Sequence, residues 1–201
     1  MEEHCVRTSR LLLISLLISL SWMLSGCAGP LPQRVTLQPE VTSVPRLPKS
    51  VPLNVEVQYP HRQLKIGTIA DRVGNETMVS VTDNISGEIR RAAINTLNRM
   101  GVNASDNMAP TRLTLTLEQI HYNHRSDGIR RELIGVMKIR MQASDGRRQY
   151  NGTFEAEKRE EVLRTPSEQK SREFMNELAS DVLTQAFNDP NFTRFLIEGA
   201  L

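Results

Sequence analysis

The chain has 201 residues, of which 39% are hydrophobic and 24% charged, and this composition is typical of a single globular domain. Its formal net charge of +2 is close to balance, and only 4% of its residues are aromatic. A chain with no strong basic excess gives no reason to expect nucleic acid as a partner, so we exclude that class of function first.

The first 26 residues have the pattern of an export signal. Arg7 and Arg10 precede an apolar run from Leu11 to Leu24, which is shorter than the ~20 residues that a membrane-spanning helix needs. A buried core helix is the alternative, but it would need a polar face, and the three serines of the run supply hardly any. We therefore predict a signal peptide at residues 1–26.

The apolar run ends in Leu24-Ser25-Gly26-Cys27, which resembles the lipobox of bacterial lipoproteins. The resemblance implies cleavage between Gly26 and Cys27 and several acyl chains, such as palmitate, on Cys27, enough to hold the mature chain on a membrane. Cys5 leaves with the signal, so no free thiol remains for covalent catalysis. Ala28 follows Cys27 where an Asp would be the retention signal, which resembles lipoproteins sorted to the outer membrane and facing the periplasm.

Six prolines lie between residues 28 and 52. Because proline fixes φ and removes a backbone donor, we expect residues 27–50 to form an extended tether between the lipid and the domain. The alternative is a partly ordered arm that lies on the domain and pairs through the apolar residues near 35–37 and 41–44.

From residue 51 onward the pattern predicts one domain, residues 51–201. Alternating apolar residues predict strands at residues 51–59, 78–81, 113–118, 133–142 and 150–156. Ser-Asp-Gly turns separate the last three strands and predict an antiparallel meander.

Helical spacing predicts three helices. They lie at residues 85–100, which Gly101 ends, at residues 174–186, and in a short segment after Asp189-Pro190. The meander strands alternate apolar and polar residues, so we expect only one face of the sheet to be covered. The predicted class is α+β, with an antiparallel sheet of about four to five strands and the two longer helices packed on one face.

No group of residues suggests catalysis or metal binding. His121 and His124 lie at the end of a predicted strand, where odd spacing turns two rings to opposite faces, so we expect no metal site. The acids of residues 155–161 alternate with Lys158 and Arg159, which is typical of a solvated strand end or loop rather than of paired catalytic acids. We expect no enzyme activity and no cofactor.

Lys138 and Arg140 are the candidate partner surface, because both are expected to project from the open face of the sheet. The first hypothesis is a non-enzymatic lipoprotein that binds another envelope protein. The second is a binding module for peptidoglycan or another anionic glycan. The alternative to both is a solvated sheet face that is simply kept free of apolar residues.

Several stretches together identify a family resemblance. They are residues 35–39, 55–67, 97–101, 113–122 and 189–196. With the lipobox, they resemble the YajG family of proteobacterial outer-membrane lipoproteins, and the resemblance implies a periplasm-facing protein without an established activity. At Tyr59-Pro60-His61-Arg62 the chain keeps an arginine but lacks the acidic residue that often precedes it in that family.

Overall fold

The computed structural model describes residues 31–199 except residues 49, 62, 72–73, 105–107 and 128–129. The predicted signal peptide and Cys27 lie outside these residues. The folded unit begins at Pro32. None of the helices described is both long enough and apolar enough to cross a membrane.

The folded unit contains a mixed sheet and three helices. The strands are β1 (Gln33–Val35), β2 (Asn54–Gln58), β3 (Lys65–Ala70), β4 (Glu76–Val81), β5 (Arg112–Asp127), β6 (Arg130–Ser144) and β7 (Gln149–Glu161). The helices are α1 (Ile85–Met100), α2 (Glu168–Phe187) and α3 (Pro190–Gly199). The strand order is β1-β4-β3-β5-β6-β7, and β2 pairs with β5.

The α+β class is confirmed, but the prediction of an antiparallel sheet of four to five strands is wrong. The sheet has seven strands, and the pairs β1–β4, β2–β5 and β3–β5 are parallel. The pattern in β3 was uninformative because its pairing with β4 shifts register between Lys65 and Gly67, which breaks the two-residue alternation. β1 has only three residues and lies among prolines, so its pairing depends on the distant β4.

The meander of β5, β6 and β7 is antiparallel, as the alternation predicted. Its strands are 16, 15 and 13 residues long, much longer than the apolar cores that marked them in the sequence. One face packs against α2. Gly135 in β6 makes the close approach possible, since a Cβ there would lie 2.7 Å from the Phe174 ring.

Local signals mark the ends of the helices, and α2 begins six residues before the predicted start at residue 174. Gly101 follows α1 with φ of 92°, and its backbone N–H bonds the last turn, as expected for a left-handed C-terminal glycine. Ser167 begins α2, and its side chain accepts a hydrogen bond from the Lys170 N–H. Asn188 follows α2, and Pro190 begins α3.

Residues 32–48, here called the arm, lie against α1 and α2. Leu37 and Val41 are fully buried in the core. The Leu37 N–H donates to Glu88 Oε2 of α1 at 2.9 Å, and the Glu40 N–H donates to Ser180 Oγ of α2 at 2.9 Å. The arm is therefore held by its backbone as well as by its apolar side chains. The backbone N–H groups of Leu37 and Glu40 find side-chain acceptors here, whereas in an extended segment they would bond to water.

Candidate functional site

One edge of β5 is shared by two strands, and a gap remains between them. β2 leaves this edge at Thr116, and β3 joins it at Tyr122. No described strand pairs with residues 117–121 on that edge. β5 also has a bulge between Leu117 and Gln119 at this level. The result is a cleft of about 590 Å³, here called the notch, lined by Tyr59, Pro60, His61, Gln63, Lys65, Glu118, Gln119 and Ile120.

The loop after β2 shapes the notch through its own hydrogen bonds. The Tyr59 hydroxyl donates to the Gln63 carbonyl at 2.9 Å, and burial raises the pKa of this phenol. His61 Nε2 lies 2.7 Å from the Glu118 carbonyl and so caps part of the unpaired edge. The rings of Tyr59 and His61 meet edge to face at 6.0 Å. The notch thus offers an aromatic ring beside amide and carboxylate groups.

Lys138 and Arg140 lie on β6, on the face of the sheet opposite α2. Arg140 forms an ion pair with Glu118, which joins the notch to this face. Lys138 Nζ lies 3.9 Å from Glu155 Oε2 on β7. Both candidate cations therefore face a carboxylate on a neighbouring strand, and the surface around them is charge-balanced rather than strongly basic.

The open face, defined by the outward residues of β5, β6 and β7, is arranged in cross-strand rows. They are Thr116–Arg140–Thr153, Gln119–Lys138–Glu155, His121–Val136–Glu157 and Asn123–Ile134–Arg159. Val136 and Ile134 are half-buried within these rows, while Glu157 and Arg159 pair with each other at 2.7 Å. The acids of residues 155–161 all lie within β7, with Lys158 and Arg159 between them.

The two histidines of the sequence analysis lie on opposite faces of β5. His121 is exposed on the open face, whereas His124 is only 3% exposed on the core face. Neither ring nitrogen of His124 makes a hydrogen bond of good geometry. Burial lowers the pKa of His124 below its usual value, and Arg131 lowers it further, while the backbone of Ala70 acts in the opposite direction.

We expect His124 to make the fold sensitive to mild acid. Above pH 6.5, the usual value, the ring is neutral in both the folded and unfolded chain and has no effect. As the pH falls below 6.5, the unfolded chain binds a proton that the folded chain does not, so stability falls by up to ~1.4 kcal/mol per pH unit. The free energy of unfolding, measured in urea at pH 7.5 and at pH 5, should fall less between these pH values for His124→Leu than for the wild type. A matched change at exposed His121→Gln should keep the wild-type loss, and equal losses in all three proteins would contradict the expectation.

The notch was not predicted, although the sequence carries one signal for it. The buried residues of β5 have odd numbers at first, namely Leu113, Leu115 and Leu117. Further along the strand they have even numbers, namely Tyr122 and His124. Such a change within one strand marks a bulge, and bulges are common next to functional sites. Across the described ranges, no group of three or more His, Cys, Asp or Glu side chains is placed to hold a metal ion.

Comparisons with known proteins give one family match and several likenesses of fold. A family model described as an uncharacterized lipoprotein matches residues 42–197. No curated protein matches significantly. A Xanthomonas campestris protein assigned to DUF330 is similar in fold, with a TM-score of 0.50 over 85% of this chain and 96% of that one, at 13% identity. This likeness shows the fold alone.

Two further solved structures match with lower scores. A neuraminyllactose-binding hemagglutinin homolog from Helicobacter pylori has a TM-score of 0.38 at 8% identity, covering 80% of this chain and 97% of that one. Rare lipoprotein B from Shewanella oneidensis has a TM-score of 0.33 at 14% identity, covering 73% and 92%. Because the family model spans most of the folded unit, the chain belongs to this lipoprotein family, and it is a cell-envelope lipoprotein.

Proposed function

We propose that this chain is an outer-membrane lipoprotein of the YajG type, anchored by acyl chains on Cys27, which binds another envelope protein and catalyses no reaction. The observation that carries the proposal is the open face. Three long strands present it, and no described element covers it. An uncovered sheet face leaves the outward side chains of three long strands accessible to a partner.

The chemistry of the open face favours a protein over a polyanion as the partner. Lys138 and Arg140 face Glu155 and Glu118, so the charges alternate in sign across the strands. Val136 and Ile134 add an apolar strip at the centre of the polar rows. A half-apolar centre with balanced charges around it resembles a protein–protein interface, in which charge pattern gives specificity rather than net attraction.

The anchor is tested on the mature chain. Mass spectrometry of the N-terminal peptide should show acylated Cys27 as the first residue, and a Cys27→Ala variant should be recovered in the soluble periplasmic fraction. Cys27 is the only cysteine outside the predicted signal, so no other thiol can substitute for it. An unmodified Cys27, or a variant that stays bound to the membrane, would refute this part of the proposal.

The open face is tested by photo-crosslinking in cells. A crosslinking residue at Gln142 or Thr153, both exposed on this face, should capture a discrete protein, and the same residue at exposed Glu173 on α2 should not. Reversing both charges with Lys138→Glu and Arg140→Glu should abolish the capture without altering membrane attachment. Identical products from Glu173 and from the open face would remove the open face as the partner surface.

A glycan is the second candidate partner, and the notch favours it. Tyr59 supplies a ring, and Gln63, Gln119 and Glu118 supply amide and carboxylate groups around it, a combination suited to the hydroxyls and apolar ring faces of a sugar. Co-sedimentation with purified sacculi distinguishes the two candidates. A glycan site should lose binding with Tyr59→Ala and keep it with Lys138→Gln, whereas no sedimentation of the wild type would eliminate the candidate.

A further inference from the structure

The arm enters the folded unit at one end of the sheet. Gln33 Nε2 donates to the Pro166 carbonyl at 2.9 Å, and Ser171 Oγ lies 2.7 Å from Gln33 Oε1. Ser171 Oγ also lies 2.8 Å from the Tyr122 hydroxyl, whose pKa burial raises to about 12. This partly buried chain of hydrogen bonds fixes the start of the arm beside the segment that leads from β7 into α2, at the end of the sheet where β5 ends and β6 begins. We call it the entry end, formed by residues 130–132 and 161–166.

The chain between the predicted anchor and this end is short. Five peptide units separate Cys27 from Pro32, and each spans at most ~3.6 Å, so their full reach is about 18 Å. Residues 32–48 cannot add to this reach, because Leu37 and Val41 are buried and the arm is bonded to α1 and α2. A lipid on Cys27 therefore keeps the entry end near the bilayer surface.

The entry end presents an apolar side chain on a fixed loop. Leu163 is 94% exposed, the most exposed large apolar residue of the described chain. Its backbone is held in place, since the Arg131 guanidinium donates to the Leu163 carbonyl at 2.9 Å and the Val162 N–H donates to the Arg131 carbonyl at 2.9 Å. The loop thus orders the backbone while leaving the leucine side chain in solvent, where it is accessible to an apolar environment.

The charges around Leu163 suit contact with lipid headgroups. Arg164 follows Leu163 in the chain and Arg130 begins β6 at the same end; both are exposed and could meet the phosphate groups of a bilayer. The acids at this end are Asp127, Glu132, Glu160, Glu161 and Glu168; Glu160 pairs with Lys170, and Glu168 pairs with Arg172. The charges at the entry end nearly cancel. Insertion of the leucine side chain, rather than electrostatic attraction, would therefore determine how this end contacts the bilayer.

We propose that the entry end lies on the bilayer in which the Cys27 lipid is inserted, with Leu163 at the level of the headgroups. The inference rests on the anchor in the proposed function. The long strands then lead away from the membrane, because β5 runs for ~50 Å from the entry end to Arg112 at ~3.3 Å per residue. The open face stands to the side, free for a partner at any height along the strands.

A single-tryptophan reporter tests the proposal. The only tryptophan of the chain is Trp22, within the predicted signal, so Leu163→Trp gives the mature lipidated chain one indole. The control is Met108→Trp, because Met108 is 91% exposed and precedes the opposite end of β5. Both proteins are reconstituted in vesicles of phosphatidylethanolamine and phosphatidylglycerol, with and without brominated acyl chains.

We expect bromine to quench the Leu163→Trp emission several-fold more than the Met108→Trp emission, with a blue shift for the first protein only. Equal quenching in the two proteins, or none in either, would overturn the proposal. A blue shift at Leu163→Trp without quenching would also overturn it, since the indole would then be covered by protein. Flotation distinguishes a failure of this inference from a failure of the proposed anchor. Protein that floats with the vesicles but is not quenched refutes only this inference. Protein that does not float and carries no acyl chains on Cys27 refutes the anchor itself.

Discussion

Gly67→Ala should unfold the chain or reduce its stability by more than ~4 kcal/mol, the largest effect of any single methyl group that we expect in this fold. A Cβ at position 67 would lie 1.5 Å from the Tyr122 carbonyl oxygen and 2.6 Å from its carbonyl carbon. Both atoms belong to the backbone of β5, so no rotamer change can relieve the clash. β3 would have to separate from β5, and in the order of the described strands β4 and β1 connect to the rest of the sheet through β3.

The matched control for this change is Gly74→Ala. Gly74 has φ of +86°, so alanine is strained there, but nothing lies within 4 Å of the added Cβ. We expect a loss of about 1–2 kcal/mol from the left-handed backbone alone. Urea unfolding followed by circular dichroism measures both variants. Similar losses for the two would show that the parallel contact at Gly67 is not as close as described.

Leu37→Asp should destabilise the fold by about 4 kcal/mol or more, because the arm is part of the core. Leu37 is fully buried, and its own N–H donates to the buried carboxylate of Glu88. An aspartate there would place a second anion in an apolar site beside the first. The carboxylate of Glu88 already accepts a hydrogen bond from Thr82 Oγ1 at 2.7 Å. Because a carboxylate has no hydrogen to donate, it cannot stabilise the new anion.

The same substitution at Leu31 is the control, since Leu31 is 82% exposed. Leu31→Asp should change the free energy of unfolding by less than ~0.5 kcal/mol. Limited proteolysis gives a second measurement: the arm of Leu37→Asp should be cleaved between residues 32 and 48, and the arm of Leu31→Asp should stay protected. If both variants unfold at the wild-type urea concentration, the arm is not part of the cooperative unit.

The sequence predicts those elements whose partners are near in the chain. The meander and α1 follow from alternation, helical spacing and Gly101, because hairpins and helices are local. The arm was left open between a tether and a packed segment, since its burial depends on Glu88 and on residues of α2 more than 130 positions away. β3 was missed for a different reason: its hairpin partner β4 begins only at Glu76, but the register shift between Lys65 and Gly67 breaks the alternation that marks a strand.

The candidate site also has a part that the sequence predicts and a part that depends on distant pairing. Lys138 and Arg140 could be assigned to an outward face from alternation alone, but their pairing with Glu155 and Glu118 depends on the register between strands. The notch requires two parallel strands to share one edge of β5, and no local pattern encodes that arrangement. Only the change of buried parity after Leu117 points to it from the sequence.

The position of the arm also fixes an order of events during synthesis. Its backbone is bonded to Asn176, Ser180 and Asn188, which lie 138 to 145 residues further along the chain. A chain made from its N-terminus has no groove for the arm until α2 is complete, so the arm remains extended while most of the domain is still being made. The side chains that hold the arm are therefore absent until α2 has been made, and docking of the arm has to follow the synthesis of that helix.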